Sequence, residues 1–163
     1  MEEDTEKEAE NLISEIAEEG IVLTKNNGTL PLKEDTKNLN VFGWASINPC
    51  YGGTGSGSVD TSDCVSLLEG LKSGGYTLNQ TLIDMYTDYA KDRPEAGMSS
   101  VDWTLPEPTT DYYTDSILEE AKEFSDTAVV VIARIGGEGT DLPTDFGAKN
   151  EDGSDKYTYA DNS

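Results

Sequence analysis

Apolar residues recur at Ala9, Leu12, Ile13, Ile16 and Ala17, the i, i+3, i+4, i+7, i+8 spacing that lines one face of an α-helix. The spacing predicts an amphipathic helix near the start of the chain, with Gly20 able to interrupt it. The stretch "GIVLTKN" either continues that helix or runs extended, until "NNGTLPL" breaks the pattern. Residues 39–44, "LNVFGW", read as a short strand. The glycine-rich "YGGTGSGSVDTSD" ends in helix-capping residues and leads to Val65, Leu67, Leu68 and Leu71 on a helix stopped by Gly74 and Gly75. "YTLN" is at most a short strand, and Leu82, Met85, Tyr86, Tyr89 and Ala90 form another helical face. Residues 92–112 contain Pro94, Pro106 and Pro108 without any period, the mark of an irregular excursion. Ile117, Leu118, Ala121 and Phe124 then mark a helix ending near Ser125.

The run "TAVVVIA", residues 127–133, does not alternate. A continuous β-branched run suits a strand buried on both faces, and such strands belong to parallel sheets covered by helices. The expected class is α/β, with a mostly parallel sheet. Ligands of such sheets bind beyond the carboxyl ends of the strands. Both glycine stretches lie there, "YGGTGSG" after the first strand and "GGEG" after residues 127–133, so parallel strands would bring them to one rim. Beyond residue 145 the chain is polar and aperiodic, a tail expected to be flexible over 146–163. With three strands at most, the sheet reads as incomplete, and exposed apolar surface is expected to drive self-association.

Composition narrows the partners. The chain has 163 residues, 35% of them hydrophobic, which is lean for one domain and one core. Eleven basic residues against 33 acidic ones give a net charge of −22, which repels nucleic-acid phosphates and anionic membrane surfaces and suits a neutral ligand such as a sugar. There is no histidine. Ser-His triads and Cys-His dyads are therefore excluded within the chain, and no zinc or other metal site is expected. Cys50 and Cys64 match no metal-binding spacing and are either two small hydrophobes or a disulfide. No apolar run approaches the roughly 18 residues of a membrane span, and the N-terminus has no hydrophobic signal core. High Asp, Thr, Tyr and Asn content leans toward an extracellular bacterial protein.

Glu138 stands between glycines in "RIGGEGTDLP". Such a glutamate is either a solvated turn residue or a functional acid. Flanking glycines let a ligand approach closely, and partial desolvation at a sheet rim raises a carboxyl toward the range useful to a general acid. Asp141 orients it, binds a hydroxyl or caps a turn. The loop around Gly53, Gly55, Ser56 and Ser58 is either a plain connection or a substrate-lining loop. It lacks the Lys-Ser/Thr pair of a P-loop and the spacing of a dinucleotide fingerprint, so no nucleotide or other cofactor is expected. Arg134 is an internal ion-pair partner or a surface residue.

Taken in order, "EIAEEGIVLTKNNGTLPL", a strand, "YGGTGSGSVDTSDCVSLLEGLKSGGYTLNQTL" and "AVVVIARIGGEGTDLP" resemble the C-terminal α/β sandwich domain of glycoside hydrolase family 3, the β-glucosidases and their relatives. The resemblance covers residues 9 to about 145. It implies a three-layer α/β sandwich, with 1–145 as part of that domain. It also implies a separate barrel domain in the parent chain that supplies an aspartate nucleophile. Glu138 matches the glutamate of the family's "SGEGxDR"-like loop, proposed as acid/base in several members, while Leu142 replaces the expected Arg. Asp102-Trp103 resembles the nucleophile motif but has no strand before it and reads as coincidence. The implied substrate is a β-linked oligosaccharide or glucoside, and the chain alone is expected to be inactive. A non-catalytic module that binds carbohydrate or packs on a partner domain is the rival reading.

Overall fold

The computed structural model describes residues 2–49, 51–52, 55–57, 59–92, 107–133 and 149–154. The chain divides into two compact units, Met1–Asp35 and Thr36–Ser163. In the first, α1 (Glu2–Gly20) realises the expected helix and ends at the glycine. Residues 21–26, which follow, are non-helical, so the helix does not continue through "GIVLTKN". The Asn26 side chain then stitches a turn: its Oδ1 accepts the Gly28 and Leu30 N–H groups at 3.0 and 3.2 Å, and its Nδ2 donates to the Leu30 carbonyl at 2.7 Å. The α1 stripe of Leu12, Ile13 and Ile16 is exposed.

Among the described residues the second unit is built on three strands: β1 (Asn38–Phe42), β2 (Thr77–Leu78) and β3 (Ala128–Val130), in the order β2-β1-β3. Both pairings are parallel, with Leu39 opposite Leu78 and Val41 opposite Val129. Helices α2 (Leu67–Ser73), α3 (Gln80–Asp92) and α4 (Asp115–Phe124) make the connections. Parallel neighbours need such crossovers, and the class is α/β as the sequence indicates. Ser66 caps α2 in a reciprocal box with Glu69. Val65, counted on that helix from periodicity, precedes it. Thr114 caps α4, which stops at Ser125 as expected.

The core gathers Leu82, Met85 and Tyr86 of α3, Ala121 of α4, and Trp44 and Ala45 just past β1. Buried amides tie the helices to the central strand. Asn40 Nδ2 donates to the carbonyls of Ala121 and Ser125 at 2.8 and 2.9 Å, and its Oδ1 accepts Asn79 Nδ2 at 2.9 Å. Asn79 in turn accepts the Leu82 N–H at 3.3 Å, capping α3.

β3 departs from its expected burial. Val129 and Val131 are partly covered, whereas Val130 and Ile132 stand 64% and 75% exposed. Among the described residues the strand lies at the edge of the sheet beside β1, and only the face that carries Val131 and Ala133 packs against the core. A continuous apolar run does not distinguish that position from a central one.

Candidate functional site

Because β1 runs parallel to both neighbours, the chain leaves β1 and β3 at the same edge of the sheet. This rim is the candidate site. Its geometry is set first by Gly43, which leaves β1 with φ 99°. A Cβ there would fall 2.1 Å from the Val131 carbonyl oxygen, and Val131 N–H bonds the Phe42 carbonyl at 2.8 Å. Only glycine lets the two strand ends pass this closely.

The chain next forms a 3-10 turn, Trp44–Ser46, whose residues are buried. The Trp44 N–H meets both carboxylate oxygens of Glu107, at 3.3 and 3.1 Å. Beside it the Tyr86 and Tyr113 hydroxyls bond each other at 2.8 Å, with their rings edge to face. Burial pushes both phenols above their ordinary pKa, and the negative charge of Glu107 adds to the rise.

Of the loop residues singled out from sequence, Gly55 and Ser56 lie in a second 3-10 turn, Gly55–Gly57, with Ser56 exposed. The loop folds tightly on itself: a Cβ on Gly52 would stand 3.0 Å from the Gly57 carbonyl oxygen and 3.0 Å from Val59 Cγ2. Tyr51 Oη reaches the Val65 carbonyl at 3.5 Å, and Asp60 accepts the Ser62 N–H at 3.0 Å. Gly53, Ser58, Glu138 and Asp141 lie outside the described residues, as do Cys50, Asp102, Trp103 and Arg134. Cys64 is exposed with a free thiol. Among the described residues, no group of three Cys, Asp or Glu side chains is arranged to hold a metal ion, and no helix is long and apolar enough to cross a membrane.

Sequence reasoning missed Glu107, Tyr86 with Tyr113, and the Asn40–Asn79 pair. Glu107 falls in a proline-rich excursion without a period, where nothing marks its partner. What the described rim offers is a set of backbone groups and one carboxylate, that of Glu107, engaged with the Trp44 N–H.

Comparison with known proteins bears on that rim. The profile of the glycosyl hydrolase family 3 C-terminal domain matches residues 21–158. A beta-glucosidase from Ruminococcus albus is 35% identical over 132 residues, 78% of this chain and 14% of the relative. Beta-glucosidase A from Butyrivibrio fibrisolvens is 33% identical over 135 residues, 80% of this chain and 15% of the relative. Among solved structures, beta-glucosidase 3B from Thermotoga neapolitana in complex with alpha-D-glucose superposes with a TM-score of 0.64 at 31% identity, over 83% of this chain and 19% of that one. Its complex with glucose gives 0.64 at 32% identity, over 85% and 19%. The chain thus spans a small part of the length of the relatives it matches.

Proposed function

Since the chain belongs to the glycosyl hydrolase family 3 C-terminal domain family, we propose that it serves a retaining β-glucosidase, contributing Glu138 as acid/base to a site completed by a barrel domain. The observation that carries this reading is the family match itself, which spans residues 21–158 and so includes both glycine loops. The similarity to beta-glucosidases supports a β-linked glucoside or oligosaccharide as the substrate. The parallel strand ends beneath the two loops support a shared site. Gly53, Gly55, Ser56, Ser58 and Asp141 would line it, with residues 1–145 as part of the α/β sandwich domain and 146–163 as a polar tail.

A retaining glycosidase sets two carboxyl groups about 5–5.5 Å apart, one protonating the leaving oxygen while the other attacks the anomeric carbon. Glu138 supplies the proton, then takes one from water when the glycosyl intermediate is hydrolysed. The attacking aspartate comes from the barrel domain, so the 163-residue chain alone turns nothing over.

The test uses the parent enzyme. Glu138→Gln should slow substrates with poor leaving groups by about 10²–10⁴-fold, the range of a general acid. Activated aryl glucosides should lose far less in glycosylation, and added azide should restore turnover where deglycosylation limits it. An unchanged rate on natural glucosides would leave Glu138 a turn residue and favour a binding or packing role for the domain.

A further inference from the structure

The rim holds a carboxylate that the acid/base chemistry does not use. Glu107 presents both oxygens to the Trp44 N–H, at 3.3 and 3.1 Å. That N–H opens a 3-10 turn, where no acceptor lies within the helix, and a carboxylate there forms a charge-assisted bond about twice as strong as a neutral one. The other end of Trp44 is also engaged: its carbonyl accepts the N–H groups of Ile47 and Asn48, each at 3.1 Å. One buried residue therefore connects Glu107 to the turn at the exit of β1. The next residue, Pro108, is buried, which anchors the backbone that carries Glu107. Tyr113, on the same segment, bonds Tyr86 of α3. The segment is thus fixed at two points, and the carboxylate is held against the strand end.

We propose that Glu107 is a positioning residue: by gripping the Trp44 amide it fixes the exit of β1, the strand end at the rim where a neutral sugar would sit. This rests on the glycosidase reading above. Glu107 touches no reacting atom in this scheme, so its loss changes how well the sugar is held and leaves proton transfer alone. In kinetic terms it acts on KM and spares kcat.

Two measurements test it, one on this chain and one on the parent enzyme. Hydrogen exchange by NMR in the 163-residue chain reads the grip directly. Glu107→Ala should release the Trp44 amide, speeding its exchange by about tenfold or more. Glu107→Gln keeps the length and one acceptor oxygen but loses the charge, so its exchange should fall between wild type and Glu107→Ala. In the parent enzyme, Glu107→Ala should raise KM for an aryl β-glucoside by about tenfold with kcat within about twofold, and Glu107→Gln should recover most of the loss. Where Glu107→Ala fails to fold, Glu107→Asp replaces it with the same expectations, because it keeps the charge but withdraws it by one methylene.

Unchanged exchange at Trp44 overturns the proposal, as does an unchanged KM. A fall in kcat as large in Glu107→Gln as in Glu107→Ala, with the acidic limb of the pH profile moved, would make Glu107 a reacting group and overturns it equally. A wild-type parent without glucosidase activity sinks the functional reading instead, and the exchange result then decides the grip by itself.

Discussion

Tyr86 is almost fully buried with its hydroxyl engaged, beside a partner phenol and near a carboxylate. Burial most of all, then the Tyr113 hydroxyl and the nearby charges, disfavour the phenolate and outweigh an opposing hydrogen bond with the Gly43 backbone, so the folded state holds the Tyr86 proton well above the ordinary value of 10.0. Tyr113 is raised in the same direction, again chiefly by burial. A pKa raised on folding contributes stability that is fully present below the unfolded value and is lost as pH rises through the folded one. Above about pH 10 the unfolded chain releases these protons while the native state keeps them, so the unfolding free energy must fall. Stability should be flat with respect to this pair from neutral pH to about 9 and decline beyond about 10. Urea titrations across that range check it, and Tyr86→Phe should flatten the decline. Phenolate absorbance should show part of the tyrosine signal appearing only as the chain unfolds. None of this was legible in the sequence, where Tyr86 read simply as one apolar position on a helical face.

At the scale of elements, the helices were the legible part, because period 3.6 marks an apolar face, although that of α1 stands exposed in the fold. Leu82, Met85, Tyr86 and Ala121 all face the core as their spacing required. The strands were less so. The apolar run at 127–133 announced β3 but not its place at the sheet edge, and a two-residue strand such as β2 carries almost no pattern. Least legible was the polar joint. Asn40 lies in β1 and Asn79 at the head of α3, 39 residues apart, and neither position implies the other. Together they join α3, α4 and β1, since Asn40 also holds the carbonyls at the end of α4. Removing one member leaves buried partners unsatisfied, each costing about 1–3 kcal/mol. Asn40→Ala should therefore destabilise by roughly 2–4 kcal/mol, and Asn79→Ala by somewhat less. The double variant should cost less than the sum by about 0.5–3 kcal/mol, the signature of groups in one network. Strict additivity in denaturant titrations would show that the two amides act independently.

For the whole molecule, two surface properties oppose each other. A net charge of −22 makes copies of the chain repel. Yet apolar side chains stand exposed in both units: Leu12, Ile13 and Ile16 on α1 in the first, Val130 and Ile132 at β3 in the second. In the isolated chain, repulsion is what holds copies apart. The range of that repulsion is the Debye length, about 30 Å at 0.01 M salt and about 3 Å at 1 M. Burial of apolar surface needs no such range and is not weakened by added sodium chloride. Association should therefore grow as salt is raised, the reverse of what ion-pair contacts between copies would give. Sedimentation velocity should show a monomer at about 0.01 M salt and larger species at about 1 M. If α1 and the β3 edge supply the contact, Ile13→Glu and Ile132→Glu should each shift the high-salt distribution back toward monomer. Association that weakens with salt would mean that charged groups mediate it.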